Sequence, residues 1–118
     1  MNINIILPYK ETYSDKIAGA VSLLIAEVKK RSKFKKKIKI FGSINLEKPL
    51  TKDYVSCDLS KKPFYYIFGR TYFYLENIKK KISKKKSIIE IHNRPPAANF
   101  FLNNNNNNKI ILYYHNDP

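Results

Sequence analysis

Short apolar runs alternate along this chain with stretches of helical periodicity, and few folds accommodate that order. Ile3, Ile5, Ile6 and Leu7 form a run stopped by Pro8, as expected of a strand buried on both faces. A polar stretch with cap formers, Tyr9 to Asp15, leads into Ile17, Ala18, Ala20, Val21, Leu24, Ile25 and Val28. Their spacings of three and four predict a helix over about 15–31 with an apolar stripe on one face. Gly19 near its start disfavours helix by about 1 kcal/mol relative to Ala, unless close packing or a ligand requires a missing side chain there.

Ile38-Lys39-Ile40-Phe41 alternates and stops at Gly42, the pattern of a second strand, and Tyr54 to Cys57 forms a third, shorter one. Aromatic residues from Phe64 to Phe73 run into Leu75, Ile78 and Ile82 at helical spacing, which predicts a helix over about 66–84. Ser87 to Ile91 reads as a fourth strand and Ile110 to Tyr114 as a fifth. Between them lie one or two helical turns over Ala97 to Leu102, and then the asparagines from Asn103 to Asn108, expected to be a flexible loop.

This order predicts one α/β domain over 1–118, Rossmann-like and three-layered, with a mostly parallel sheet and right-handed crossovers. In such sheets ligands bind beyond the carboxyl ends of the strands. Residues 8–19, 92–95 and 115–118 fall at that edge. His92-Asn93-Arg94-Pro95 sets an imidazole that can act as acid or base beside a guanidinium suited to phosphate. His115-Asn116-Asp117-Pro118 repeats the pattern, and these are the chain's two histidines. An ordinary structural role for both segments, as polar strand ends closed by a Pro turn, fits the same residues.

No apolar run approaches the roughly 20 residues of a membrane-spanning helix. A single Cys57 excludes an internal disulfide framework and a cysteine-rich zinc site, and glycines at 19, 42 and 69 alone supply neither a dinucleotide fingerprint nor a P-loop. The N-terminus carries no signal-peptide pattern, so a cytoplasmic setting is expected. Twenty-three Lys and Arg against nine Asp and Glu leave a net charge of +14, which attracts phosphate backbones, anionic headgroups or phosphorylated ligands alike. Interleaved aromatics and bases over 61–86 suit a small nucleic-acid-binding protein, whereas their helical spacing favours a core role, which makes nucleic acid the second choice. The lysine-rich helix ends also suit a peripheral approach to an anionic membrane leaflet.

Ile5-Ile6-Leu7-Pro8 with Glu11, Ala18-Gly19-Ala20-Val21-Ser22, Ile89 through Pro95, and Leu112 through Pro118 together resemble the N-terminal half of a GT-B glycosyltransferase of the family-4 type. The resemblance implies a Rossmann-like acceptor domain facing a second domain across a cleft. It also implies transfer of a sugar from a nucleotide-sugar donor to a hydroxyl of a glycan or lipid-linked acceptor, with no cofactor and no metal. In that arrangement Glu11, Gly19 and Ala20 approach donor phosphates and acceptor. His115, and second His92, lie near the reacting sugar, with Asn93, Arg94, Asn116 and Asp117 as binding residues. The family's second domain has no counterpart before Pro118. The expectation is therefore an inactive isolated chain with exposed apolar surface: a truncated reading frame, a fragment, a remnant, or one half of a split enzyme whose C-terminal half is a separate chain.

Overall fold

A computed structural model describes residues 2–14, 19–57, 70–82, 87–92, 94–104 and 108–113. Five strands, β1 (Asn2–Ile6), β2 (Ile38–Gly42), β3 (Tyr54–Ser56), β4 (Ser87–His92) and β5 (Lys109–Tyr113), form one sheet in the order β3-β2-β1-β4-β5. Every pairing is parallel: Ile3 opposes Ile38 and Ile88, Ile40 opposes Tyr54, and Ile88 opposes Lys109. Helices α1 (Ala20–Arg31), α2 (Arg70–Lys81) and α3 (Pro95–Asn104) cover it, and a single 3-10 turn at Lys35–Lys37 precedes β2. The domain is the α/β Rossmann-like one expected.

Side-chain alternation along the strands divides the core. Ile5, Leu7, Ile38 and Ile40 pack with Ile25 and Ala26 of α1 on one face. Ile6, Phe41, Ile89 and Ile91 pack with Tyr74, Leu75 and Ile78 of α2 and with Ala97, Ala98 and Phe101 of α3 on the other. Three layers follow, each buried aliphatic contributing about 1.5–3 kcal/mol relative to exposure.

Helix α1 is rotated from the stripe that its apolar spacing predicts. Ser22, Ile25, Ala26 and Lys29 face inward, while Leu24 and Val28 remain 48% and 52% exposed. Polar anchors set the rotation. The Lys29 ammonium donates to the carbonyls of Lys35 (2.7 Å) and Ile38 (3.2 Å) and pairs with Asp53 at 2.7 Å, and Glu11 holds Ser22 at the other end. A buried charge with a carboxylate and two carbonyls is satisfied there, and turning the helix to bury Leu24 would strand it.

The ends of the asparagine tract are ordered where its composition predicts a loop. Asn103 and Asn104 complete α3. The Asn108 side-chain carbonyl accepts bonds from the Ser87 amide (2.9 Å) and hydroxyl (2.7 Å), and the Asn4 amide donates to the same hydroxyl at 3.1 Å. This polar chain ties β1 and β4 to the residue preceding β5. The expected helix segments 15–18 and 66–69 and the tract's centre, 105–107, lie outside the described residues.

Burial holds the Cys57 thiol up at about 11 from 9.0 and the Tyr54 phenol up at about 12 from 10.0. It also raises the Tyr74 phenol well above its ordinary value. Between the unfolded and folded values the unfolded chain binds fewer protons, so stability falls with rising pH. Urea unfolding is expected to show a level midpoint below pH 9 and a falling one from about pH 9 to about 12. A midpoint unchanged between pH 8 and 11 would contradict this burial.

Candidate functional site

β1 and β4 are neighbours at the centre of the sheet, and the connections leaving their carboxyl ends run in opposite directions, from β1 through α1 to β2 and from β4 through α3 to β5. Such a switch point opens a crevice at the sheet's carboxyl edge. A cleft of about 320 Å³ lies there. Leu7, Pro8 and Tyr9 supply one wall, Thr71 and Tyr74 of α2 another, and Ile91 and His92 at the end of β4 with Arg94, Pro96 and Ala97 at the start of α3 the third. Its volume is at the small end of ligand pockets, and its walls are largely apolar, with a few polar groups available to fix orientation.

Two aromatic rings shape it: Tyr9 and Tyr74 approach to 5.7 Å between centroids at 55°. The Tyr74 hydroxyl is shared between the Leu7 carbonyl at 2.8 Å and the Phe41 carbonyl at 3.1 Å, which fixes α2 to the ends of β1 and β2. The loop beyond β1 is tight. The Glu11 amide donates to the Pro8 carbonyl at 3.0 Å, and Lys10 sits at φ 71, in the left-handed region. For a residue with a side chain this costs about 1–2 kcal/mol. The Lys10 amide donates to the Ser43 hydroxyl at 2.8 Å, which ties this loop to the one after β2. The Lys10 ammonium lies 5.8 Å from the Tyr9 ring centre. Arg94 is exposed at the rim and its carbonyl accepts from the Ala97 and Ala98 amides, so it caps α3, whose first two residues are Pro95 and Pro96. The guanidinium presents positive charge to this mouth, whereas the helix N-terminus adds no free amide, since Pro95 and Pro96 have none and those of Ala97 and Ala98 bond the Arg94 carbonyl.

His92 borders the cleft but its ring belongs to the other face of the sheet. Alternation places Glu90 and His92 with Tyr113 on the α1 side, and the imidazole stacks on the Tyr113 ring at 5.1 Å and 12°. Its Nε2 lies 3.8 Å from a Glu90 carboxylate oxygen, an ion pair when the ring is protonated. His92 and Arg94 thus share one edge. Asn93, His115, Asn116 and Asp117 lie outside the described residues.

Glu11 and Gly19 meet at the start of α1, and neither lines the cleft. Gly19 is the N-cap and Ala20 the first helical residue. The Glu11 carboxylate accepts from the Ser22 amide (3.3 Å) and hydroxyl (3.2 Å), and so does the capping that Gly19 cannot. A Cβ on Gly19 would stand 2.6 Å from a Glu11 oxygen. Close packing is therefore what the glycine serves, and an internal carboxylate occupies the place where a phosphate would approach this helix. Gly19→Ala is expected to displace Glu11 and lower stability by about 1 kcal/mol, the value of a lost cap. In a Glu11→Ala background the same change should cost much less, as chemical denaturation of the four variants would show.

Tyr9 falls within the segment 8–19 that the sequence places at the ligand edge, though not among its named site residues, and nothing in the sequence points to Thr71, Tyr74 or Pro96. The signal available was the position of Tyr9 directly after a strand-ending Pro8. Among the described residues no group of three or more His, Cys, Asp or Glu gathers to hold a metal ion, and no helix is long and apolar enough to cross a membrane. Comparison with protein-family models, curated proteins and solved structures finds no match to this chain.

Proposed function

We propose that this chain is the acceptor-side, N-terminal domain of a glycosyltransferase, and that the cleft between β1 and β4 handles a sugar bearing a phosphate. The observation that carries the reading is the juxtaposition of an aromatic wall, the partly exposed Tyr9 ring backed by the buried Tyr74, with Arg94 at the mouth of one crevice at the switch point. A sugar ring offers an apolar C–H face to such a wall, and a guanidinium suits the phosphate attached to it. In the complete enzyme a nucleotide-sugar donor bound across both domains would lose its sugar to an acceptor hydroxyl. The bond from the anomeric carbon to the diphosphate breaks, a bond to the acceptor oxygen forms, and the hydroxyl proton passes to a base. Arg94 would counter charge on the departing diphosphate. With half the cleft on a second domain, the isolated chain is expected to bind weakly and not to turn over.

Packing weakens the nucleic-acid alternative along α2. Tyr74 is buried and Phe73 lies against the core, which leaves Tyr72, 45% exposed, as the outward ring of that helix. Titrating the isotope-labelled chain with a hexose 1-phosphate is expected to shift the amides of Tyr9, Thr71, Arg94 and Ala97, saturating in the millimolar range. Arg94→Ala should weaken this about tenfold, as loss of a charge-assisted bond does. Its melting temperature should change little, because Arg94 is exposed and the carbonyl that caps α3 is kept. Shifts confined to other residues, or equal shifts with the unphosphorylated hexose, would overturn the reading.

A further inference from the structure

We infer that the outer surface of α1 together with the turn that follows it is a docking surface for an anionic phospholipid bilayer. Between residues 30 and 37 the exposed side chains are Lys30, Lys33, Phe34, Lys35, Lys36 and Lys37, together with Arg31, which pairs with Glu27 at 3.3 Å. Among the described residues none of the five lysines forms an ion pair with a carboxylate. Phe34 stands half-exposed in their midst, at 50%. Upstream, the anchored rotation of α1 leaves Leu24 and Val28 exposed one turn apart, with Leu23 at 52% beside them.

Charge and apolar groups on one short stretch are what an interfacial segment requires. The aliphatic and aromatic side chains enter the headgroup boundary while lysines meet lipid phosphates, their stems lying along the apolar surface. The observations favour lipid over the other occupants. Leu23, Leu24 and Val28 offer no platform for stacking bases, which single-stranded nucleic acid would use. Two copies of this face brought together would oppose lysine to lysine. The inference stands apart from the cleft and does not depend on what binds there.

The chain contains no tryptophan, so Phe34→Trp places a single reporter inside the surface. Its emission is expected to shift to the blue with vesicles of phosphatidylcholine mixed with phosphatidylglycerol, to stay unchanged with phosphatidylcholine alone, and to return on raising salt. Co-sedimentation of the unsubstituted chain with the same vesicles provides a readout independent of that substitution. Replacing Lys33, Lys35 and Lys36 together with Gln, all exposed, should lower the partition coefficient about a hundredfold, at the value of a lysine near an anionic surface. Leu24→Ser with Val28→Ser should lower it further without changing the helical circular dichroism. The inference fails if anionic vesicles bind no chain, or if the triple Gln variant binds as well as the parent. It fails equally if oligouridine produces the same blue shift, or if the reporter is already buried in a dimer before lipid is added.

Discussion

Tyr74→Ala is expected to lower the stability of the domain by about 4 kcal/mol, within the range for removing a buried aromatic ring. Domains of this size have about 5–15 kcal/mol in total, so the variant should sit near the edge of folding. Its ring is 1% exposed and forms part of the core shared by α2, α3 and the sheet. Its hydroxyl serves two strand-end carbonyls, at 2.8 and 3.1 Å. Tyr74→Phe keeps the ring and removes the bond, and should cost about 1–2 kcal/mol. The Phe41 carbonyl already accepts from the Leu7 amide at 2.9 Å, so the Leu7 carbonyl is the group that loses most. Equilibrium urea unfolding at neutral pH separates the two effects. A loss below about 1 kcal/mol in the alanine variant would mean that this ring does not join α2 to the ends of β1 and β2.

Gly42→Ala should be nearly as damaging, at about 3 kcal/mol, although it adds one methyl group. A Cβ at this position would lie 2.6 Å from Cε2 and 2.8 Å from Cζ of Tyr54, well inside van der Waals contact. That ring cannot easily yield. Its hydroxyl donates to the Ile44 carbonyl at 2.6 Å, and its face stacks on Tyr13 at 5.8 Å and 8°. Tyr13 is itself fully buried. The remedy identifies the cause: in a Tyr54→Ala background the added methyl has room, so the double variant should be about 2 kcal/mol more stable than the sum of the single losses. Strict additivity would place the damage elsewhere.

The sheet was legible because each strand is an apolar run closed by a breaker or a polar turn, as at Pro8 and Gly42, and because strands and helices alternate. Helix positions were legible from periodicity, but not the way α1 faces. Lys29 looks like the first residue of a solvated basic run, and nothing local reveals that Asp53, 24 positions later, draws it inward. Glu11 capping α1 has the same character, since its partner Ser22 is 11 positions away. At the site, the location of His92 on a strand end was readable. The alternation of Ile89 and Ile91 with Glu90 and His92 also held the signal that its ring faces away from α2 and α3. The cleft's aromatic wall was not readable, because Tyr9 and Tyr74 meet only through the crossover that brings α2 back over β1.

The central place of β1 has a consequence for biosynthesis. Its partner on one side, β2, emerges soon after it, but the other, β4, follows about 85 positions later, as the pairing of Ile3 with Ile88 requires. At translation rates of about 5–20 residues per second, one edge of the isoleucine-rich strand waits roughly 4–17 s without its hydrogen-bonding neighbour. Throughout that interval the nascent chain exposes a template for association with other chains, and holdase chaperones would have their greatest influence on yield then.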